Sequence, residues 1–278
     1  EWQKEFFLPK IRSGEIYEWS QGYSEPEAGT DLANIQTRAV KDGDDYVING
    51  SKTWNSEGPH ALWGHYLVRT DPNAPKHRGI SYLLIDMTSP GITIRPIYDG
   101  LGILRWGQVF LEDVRVPQKN LIGEENAGFY IAMASLNRER AQMGVPARRL
   151  GTLERFIEYL RQTEGENPLD NPVYTHQLAD LRVQMETARM LGYRVAFIGE
   201  SDKAASMLKL IRDEMTRKLY EAAAHALPDY GLLMPEDTRA LPERVGSSRW
   251  LAPALALAGG SSEAQRTIIA QRGLGLPR

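Results

Sequence analysis

A polar segment at residues 21–31, QGYSEPEAGTD, brings hydroxyl groups and main-chain N–H groups together in one short stretch. Pro26 removes a hydrogen-bond donor and Gly29 permits backbone angles that other residues avoid, so the segment is predicted to be a loop. The hydroxyls of Ser24 and Thr30 can donate hydrogen bonds to a polar or anionic ligand. An ordinary surface turn is the alternative that these residues alone leave open.

A carboxylate on an apolar helix face is the second chemical feature. Glu139 follows Leu136 by three residues and Ala132 by seven, which places all three on one side of a helix. Burial of a carboxylate is costly, and it raises the basicity of the group, so such a residue is either functional or paired. Glu139 is therefore a candidate general base or half of an interhelical ion pair. Candidate partners for such a pair are Arg148, Arg189 and Arg249.

Composition excludes several classes of protein. The 278 residues, 42% hydrophobic and 25% charged, indicate an ordinary globular protein of about two domains. No run approaches the roughly 18 apolar residues of a membrane helix. A net charge of -3 offers no electrostatic case for nucleic acid. The lack of cysteine excludes disulfides, and five histidines without a His-x-x-x-His pair argue against a metal site.

The pattern of the chain changes near residue 122, and the fold class is predicted to be α+β. Residues 19–122 alternate short β-branched runs with Gly, Pro, Asp and Asn, which predicts a β domain, either a barrel or a sandwich. Residues 123–278 show helical periodicity and are predicted to form a four-helix bundle. The predicted helices lie at about 127–164, 172–199, 201–227 and 248–273, with a long irregular connection at 228–247.

Four blocks of sequence, in this order and at these separations, resemble the acyl-CoA dehydrogenase family. They are residues 21–31, INGSKTWNS at 48–56, FLEDVRVP at 110–117, and GGSSEAQR at 259–266 continued by IIAQRGLGLPR at 268–278. The GGSSE turn is similar to that of bacterial relatives that act on sterol side-chain thioesters. The resemblance implies that residues 1–18 are the remnant of an N-terminal helical domain that is otherwise largely missing.

The resemblance also implies FAD, held between the β domain and the helical bundle. The cofactor-binding residues it implies are Tyr23, Ser24, Trp54, Ser56, Gly260, Ser261 and Glu263. Trp54 would supply a flat surface beside the flavin, with the hydroxyl of Ser56 donating toward N5. A core position for Trp54 and simple helix capping by Ser261 are the alternatives.

The substrate-binding residues implied in the same way are Gly29, Thr30, Asn137 and Arg140, with Asp31 fixing the loop itself. One departure from the family lies at residues 171–177, NPVYTHQ, where relatives bring an arginine and an aromatic residue to the flavin diphosphate of a neighbouring subunit. No cation is obvious there. His176 and Gln177 are candidate contacts, and an ordinary surface role for them stays open.

A second departure concerns the catalytic base. Many family members carry a glutamate where this chain has Gly259, which has no side chain and cannot remove a proton. Another branch holds its glutamate before an arginine on the first long helix, and Glu139 matches that position. The backbone N–H of Gly259 would then polarise the thioester oxygen. The missing side chain predicts room for a bulky or branched acyl group, such as a sterol-derived one.

The implied reaction is the FAD-dependent α,β-dehydrogenation of an acyl-CoA to a 2-enoyl-CoA, with Glu139 as the base. Implied partners are the acyl-CoA, an electron-transfer flavoprotein and further subunits in a homo- or hetero-oligomer, a dimer or a tetramer. Two alternatives stay open: a non-catalytic subunit of a heteromeric dehydrogenase, and an oxidase that passes electrons to oxygen. A bacterial cytoplasmic location is expected, with organelle targeting as the other possibility.

Overall fold

The computed structural model describes residues 1–143, 147–163, 165–198, 202–227 and 247–277, together with Asp229, Leu233 and Val245. The chain divides into two compact units, Glu1–Ser135 and Leu136–Arg278. The first is built on a curled sheet and the second is helical, which confirms the predicted fold class. The domain bounds 1–18, 19–122 and 123–278 stay a prediction.

Among the described residues of the first unit, seven strands form one sheet in the order β1-β4-β2-β3-β7-β6, with β5 paired to β4. The strands are β1 Trp19–Gly22, β2 Arg38–Asp42, β3 Asp45–Ser56, β4 Trp63–Arg69, β5 Ile80–Asp86, β6 Ile92–Tyr98 and β7 Leu104–Pro117. β1 runs parallel to β4, whereas β3 and β7 pair antiparallel over most of their lengths. The β-rich half predicted from the sequence is therefore present.

The inner face of the sheet is covered by large apolar and aromatic side chains. Tyr46, Ile48 and Tyr66 are completely or almost completely buried there, in a cluster that also includes Val109 and Leu111. Alternate residues of β3 supply this face because successive side chains of a strand point to opposite sides. On the other side, helix α1 (Trp2–Ser13) packs its buried Phe7 against aromatic side chains of β1 and β4.

The helical unit is assembled around α4 and α5. The helices are α2 Gly128–Met143, α3 Ala147–Arg161, α4 Pro172–Ile198, α5 Asp202–Ala226, α6 Ala252–Leu257 and α7 Ser262–Ile268, with a π-helical turn at Ile269–Gly273. The core of this unit includes Phe156 of α3, Met185 of α4 and Leu219 of α5. The division between the units falls within α2. None of the helices described has the length and apolar character required to traverse a bilayer.

The prediction of one helix at 248–273 is wrong. This range contains a 3₁₀ turn at Ser247–Trp250, then α6, which ends at Leu257, and then α7, which begins only at Ser262. Gly259 and Gly260 lie between them with φ of 68° and 96°, a left-handed conformation that interrupts an α-helix and that glycine adopts without steric cost.

The predicted helix at 127–164 is described as α2 and α3, and residues 144–146 lie outside the described residues. Most of the predicted irregular connection at 228–247 also lies outside them. The predicted helices at 172–199 and 201–227 are confirmed as α4 and α5, to within a residue at each end.

Gly22 ends β1 and leads directly into the loop at residues 23–31. A Cβ atom at this position would lie 2.1 Å from Cδ1 of Tyr66, a fully buried ring that has no room to move. We expect Gly22→Ala to lower the free energy of unfolding by about 3 kcal/mol, because overpacking a closed core is costly. Urea denaturation measures this. Gly29→Ala is the control, since no atom lies within 4 Å of a Cβ there; equal effects of the two substitutions would contradict the expectation.

Candidate functional site

Residues 23–31 of the predicted loop segment form a loop, whereas Gln21 and Gly22 are the last residues of strand β1. Glu25 N–H donates to the carbonyl of Ala28 at 3.0 Å, and Ala28 N–H donates back to the carbonyl of Glu25 at 3.1 Å, so Pro26 lies within a tight turn. The hydroxyl-bearing residues lie on either side of this turn. Ser24 is half-buried, whereas Gly29 and Thr30 are exposed. Asp31 is exposed too, and its carboxylate forms an ion pair with Lys76 at 2.7 Å, consistent with a role in fixing the loop.

A buried ion pair joins this loop to strand β3. Nζ of Lys52, whose side chain is completely buried, lies 2.8 Å from Oε1 of Glu25 and also donates to the carbonyl of Tyr23 at 3.2 Å. The Glu25 carboxylate accepts two further hydrogen bonds, from the backbone N–H groups of Gln36 and Thr37. Four donated hydrogen bonds thus fix the conformation of the loop from its buried side.

The electrostatics of the pair favour its ionised form. Burial opposes ionisation of Glu25, but the charge of Lys52 and the surrounding hydrogen bonds outweigh it and hold the pKa of Glu25 below its ordinary value. Burial lowers the pKa of Lys52 to about 8, with Glu25 acting in the opposite direction. Both groups are therefore charged at neutral pH, where each offsets the cost of burying the other.

Tyr23 directs its ring into the protein. The ring is buried, and its hydroxyl lies 2.7 Å from the hydroxyl of Tyr82, which in turn lies 2.6 Å from Nδ1 of His65. Burial lowers the pKa of His65 to about 4, so this imidazole is neutral at pH 7. Any contact of Tyr23 with a ligand at the loop would therefore come from its main chain, with the ring serving as an anchor.

Trp54 lies at an irregular point of β3. The register between β3 and β7 shifts between Lys52 and Asn55, and Trp54 there adopts a left-handed φ of 62° with 59% of its surface exposed. For a bulky residue this conformation costs about 1–2 kcal/mol. The alternative of a core position is excluded by the exposure. The ring of Trp106 on β7 meets that of Trp54 edge-on, with 5.8 Å between centroids.

The loop and the Trp54 segment are joined by the main chain as well. Thr53 N–H donates to the carbonyl of Ser24 at 2.9 Å. Ser56 is exposed two residues beyond Trp54 and is the cross-strand partner of Trp106. Within the first unit, Ser24, Trp54 and Ser56 are thus held by one hydrogen-bonded junction. It presents hydroxyl groups and an exposed aromatic ring, which suits a planar heteroaromatic ligand with a polar edge.

The second unit contains Glu139. Leu136 and Ala132, three and seven residues before it on α2, are both buried, and Glu139 itself is half-buried. Asn137 is also half-buried, whereas the side chain of Arg140 lies outside the described residues. Of the arginines considered as partners, Arg189 pairs with Glu186 at 2.7 Å and Arg249 lies over the ring of Trp250; the side chain of Arg148 lies outside the described residues.

The turn between α6 and α7 contains the other predicted residues. Ser261 begins α7 as predicted, its Oγ accepting a hydrogen bond from Ala264 N–H at 3.3 Å. Glu263 lies in the first turn of α7, where backbone and Ser261 hydrogen bonds lower its pKa. The carbonyls of Gly259 and Gly260 accept hydrogen bonds from Nε2 of Gln265 at 3.3 and 3.1 Å.

Residues 171–177 form the start of α4. The carboxamide oxygen of Asn171 accepts a hydrogen bond from Val173 N–H at 3.0 Å and so caps the helix. His176 is exposed, with Nδ1 2.6 Å from the carbonyl of Pro172. These contacts are those of a helix start, and a contact of His176 or Gln177 with a diphosphate stays a prediction.

Three residues that hold this part of the first unit are not apparent from the sequence: Glu25, Lys52 and Trp106. A signal for Lys52 was present: it follows Tyr46 and Ile48 at even spacing, so it lies on the face that these buried residues share. A lysine at an inward position requires a partner, and Glu25 is the acid of the loop that turns inward.

Comparison with known proteins is consistent with this geometry. Residues 20–114 match the acyl-CoA dehydrogenase middle domain and residues 126–274 the acyl-CoA dehydrogenase C-terminal domain. The acyl-CoA dehydrogenase FadE26 of Mycobacterium tuberculosis is 37% identical over 290 aligned residues, which cover 99% of this chain and 72% of FadE26.

Two solved structures are similar over the whole chain. The ChsE4-ChsE5 complex of Mycobacterium tuberculosis matches with a TM-score of 0.89 at 36% identity, and the match covers all of this chain and 74% of the matched chain of the complex. The steroid ACAD Tcur3481-Tcur3483 matches with a TM-score of 0.91 at 32% identity, and the match covers all of this chain and 73% of the matched chain.

The ion pair beneath the loop predicts a pH-dependent stability. Glu25→Gln leaves the charge of Lys52 buried without its partner, so we expect the free energy of unfolding at pH 7 to fall by about 3 kcal/mol. The pKa of Glu25 is lower in the folded chain than the 4.5 of a free side chain. The difference between the two proteins is therefore fully present above pH 4.5 and disappears as the pH falls through the lowered pKa.

Denaturant unfolding between pH 3 and 7 measures this difference, with Glu27→Gln on the exposed side of the same loop as the matched control. A loss of stability that is the same at pH 3 and pH 7, or the same in both variants, would show that the pair does not hold the loop.

The left-handed backbone of Trp54 predicts that a substitution there does not lower the stability of the fold, in contrast to Glu25→Gln. Glycine adopts a left-handed φ without the steric cost that a bulky residue has there. We therefore expect Trp54→Gly to leave the free energy of unfolding unchanged or to raise it by about 1 kcal/mol. Trp54→Phe keeps the strain and serves as the control. Chemical denaturation decides the matter, and a loss above about 1 kcal/mol in the glycine variant would place the Trp54 ring among the residues that stabilise the fold.

Proposed function

Because the chain belongs to the acyl-CoA dehydrogenase family, we propose that it catalyses the FAD-dependent α,β-dehydrogenation of an acyl-CoA thioester to a 2-enoyl-CoA. The observation that carries this proposal is Trp54, an exposed aromatic ring on a strained backbone, joined to a loop of hydroxyl groups. Strain of this kind is retained where it serves a function, because a surface position could otherwise relax.

The residues present fit the cofactor that the family uses. Ser24 and Ser56 would offer hydroxyl donors to the polar edge of the flavin, with Trp54 beside its ring and the main chain of Tyr23 at the loop. In the second unit, Gly260, Ser261 and Glu263 would meet its phosphates and ribityl chain. When bound, the flavin supplies the acceptor for the β-hydride of the substrate.

Glu139 is the proposed base. Glu139 is half-buried on a helix face whose residues Ala132 and Leu136 are buried, and a carboxylate held in place in this way can act as a general base. It would remove the α-proton of the acyl group. The backbone N–H of Gly259 would donate to the thioester oxygen and stabilise the negative charge that develops there as the proton leaves.

The acyl-CoA contacts are proposed for each unit by itself. Gly29 and Thr30 are exposed on the loop and would contact the CoA moiety, while Asn137 and Arg140 flank Glu139 on the helix. Glycine at 259 leaves the space that a glutamate side chain occupies in other relatives. We therefore propose a bulky or branched acyl group, in agreement with the steroid ACAD among the similar structures.

The proposal extends to partners. An electron-transfer flavoprotein would accept the electrons, and the flavin site would be completed by a further subunit. The similar structures include protein pairs, the ChsE4-ChsE5 complex among them. The relatives named above are bacterial, and a bacterial cytoplasmic location remains part of the proposal.

Anaerobic bleaching of the flavin by acyl-CoA tests the proposal. We expect Glu139→Gln to bind FAD but to lower the bleaching rate by about 10²–10⁴-fold, because the α-proton then lacks its base. Glu158→Gln is the matched control, an exposed glutamate of α3 that pairs with Arg161. Unchanged bleaching in the Glu139 variant would overturn the assignment of the base.

The same assay separates the rival functions. A wild-type chain that binds FAD but is bleached by no acyl-CoA would indicate a non-catalytic subunit. Rapid reoxidation of the bleached flavin by air would indicate an oxidase. Faster bleaching by straight medium-chain acyl-CoA than by ring-bearing or branched thioesters would contradict the bulky acyl group.

A further inference from the structure

A buried lysine lies beneath the turn that joins α6 to α7. Nζ of Lys209, on α5, donates to the carbonyl of Ala256 at 3.1 Å and to that of Gly260 at 2.5 Å. It also forms an ion pair with Oδ2 of Asp213, one helical turn later, at 2.7 Å. The side chain of Lys209 is completely buried, and that of Asp213 nearly so.

The charge of Lys209 is balanced within the cluster. Asp213 lies four residues after Lys209 on the same helix, and its other oxygen, Oδ1, is bound by the guanidinium of Arg212. A buried ammonium group is costly unless it is paired and hydrogen-bonded. A leucine would fill the same space without this cost. The feature that lysine adds is an ammonium group that donates hydrogen bonds to the backbone carbonyls of the turn.

The consequence for the turn follows from peptide geometry. Lys209 and Gln265 together hold the carbonyls of Ala256, Gly259 and Gly260. Gly259 and Gly260 both have positive φ and no side chain, so they can adopt many conformations in the absence of such contacts. Since the peptide unit is planar, these three carbonyls also set the directions of the N–H groups of Leu257, Gly260 and Ser261, and so restrain the backbone on both sides of Gly259.

We propose that Lys209 is a positioning residue, whose ammonium group, held by Asp213, fixes the glycine turn so that the backbone of Gly259 meets the acyl thioester. The proposal rests on the proposed function for the role of Gly259, and on the geometry alone for the anchoring of the turn. Lys209 itself lies beneath the turn and acts through the backbone.

Two variants test it. Lys209→Met keeps much of the length and packing of the side chain and removes its charge. The double variant Lys209→Met, Asp213→Asn removes both members of the buried pair, should the single variant fail to fold, and takes the Asp213 carboxylate only from the half-buried Arg212. Lys218→Met is the matched control, a half-buried lysine of the same helix that donates to Gln184 on α4.

Hydrogen–deuterium exchange of the full chain reports on the turn without any turnover. We expect amide exchange at residues 258–262 to be at least about tenfold faster in the Lys209 variants than in the wild type and in Lys218→Met, with the middle of α5 unchanged. Equal exchange at 258–262 would overturn the proposal whatever the activity.

Kinetics separate positioning from mere anchoring. In the Lys209 variants the limiting rate of flavin bleaching at saturating acyl-CoA should fall about tenfold or more, because a misplaced N–H donor weakens stabilisation of the developing charge. Lys209→Arg should restore part of that rate. Fast exchange with a wild-type bleaching rate would leave Lys209 a structural residue and overturn the positioning role.

No bleaching of the wild-type chain would instead refute the proposed function, and the exchange result would still decide whether Lys209 anchors the turn.

Discussion

The buried ion pair between Glu25 and Lys52 is the interaction on which the first unit's candidate site depends. It joins an irregular loop to the middle of a long strand, beside the hydrogen bond from Thr53 N–H to the Ser24 carbonyl. Hydrogen bonds from Gln36 and Thr37 complete the coordination of the carboxylate, so the loop has one conformation rather than several. Paired charges stabilise little beyond an apolar substitute, but they specify geometry, and geometry is what a binding loop requires.

A similar arrangement recurs in the second unit. Lys209 and Asp213 are buried under the glycine turn much as Lys52 and Glu25 are buried under the loop. In each case a lysine donates to main-chain carbonyls of a segment that lacks regular secondary structure. Both segments contain residues proposed to contact the ligand. Buried charged groups thus lie beneath irregular backbone in both units, while Trp54, with its left-handed backbone, is exposed beside the loop.

Much of this arrangement could be predicted from the sequence, and the reasons for success and failure are physical. The change from alternating to helical periodicity predicted the β unit and the helical unit, and helices α4 and α5 agree with their predicted ranges to within a residue at each end. The helix predicted at 248–273 is wrong because Gly259 and Gly260 adopt a left-handed conformation that separates α6 from α7, although the apolar spacing continues on both sides. The spacing along β3 alone would place Trp54 on the buried face with Ile48 and Lys52, but a one-residue register shift moves its side chain to the other face of the strand.

The two buried ion pairs are harder to predict. Lys52 and Glu25 are distant in sequence, and Lys209 and Asp213 have the i,i+4 spacing that is also common for charged pairs on an exposed helix face. Only the even spacing of Lys52 with Ile48 and Tyr46 indicated that it faces inward, and its partner lies 27 residues away. The roles of Glu139 and Gly259 rest on family resemblance and stay predictions, because their chemistry depends on ligands rather than on local packing.

We propose that the buried pair of Glu25 and Lys52 gives the loop the conformation in which it would bind a flavin. Titration calorimetry of FAD with the double variant Glu25→Gln, Lys52→Met tests it most directly, since removing both charges keeps the interior neutral and the fold intact. The affinity for FAD should fall at least about tenfold relative to the wild-type chain, a loss of about 1.4 kcal/mol in binding free energy. An unchanged affinity in a folded double variant would contradict the claim.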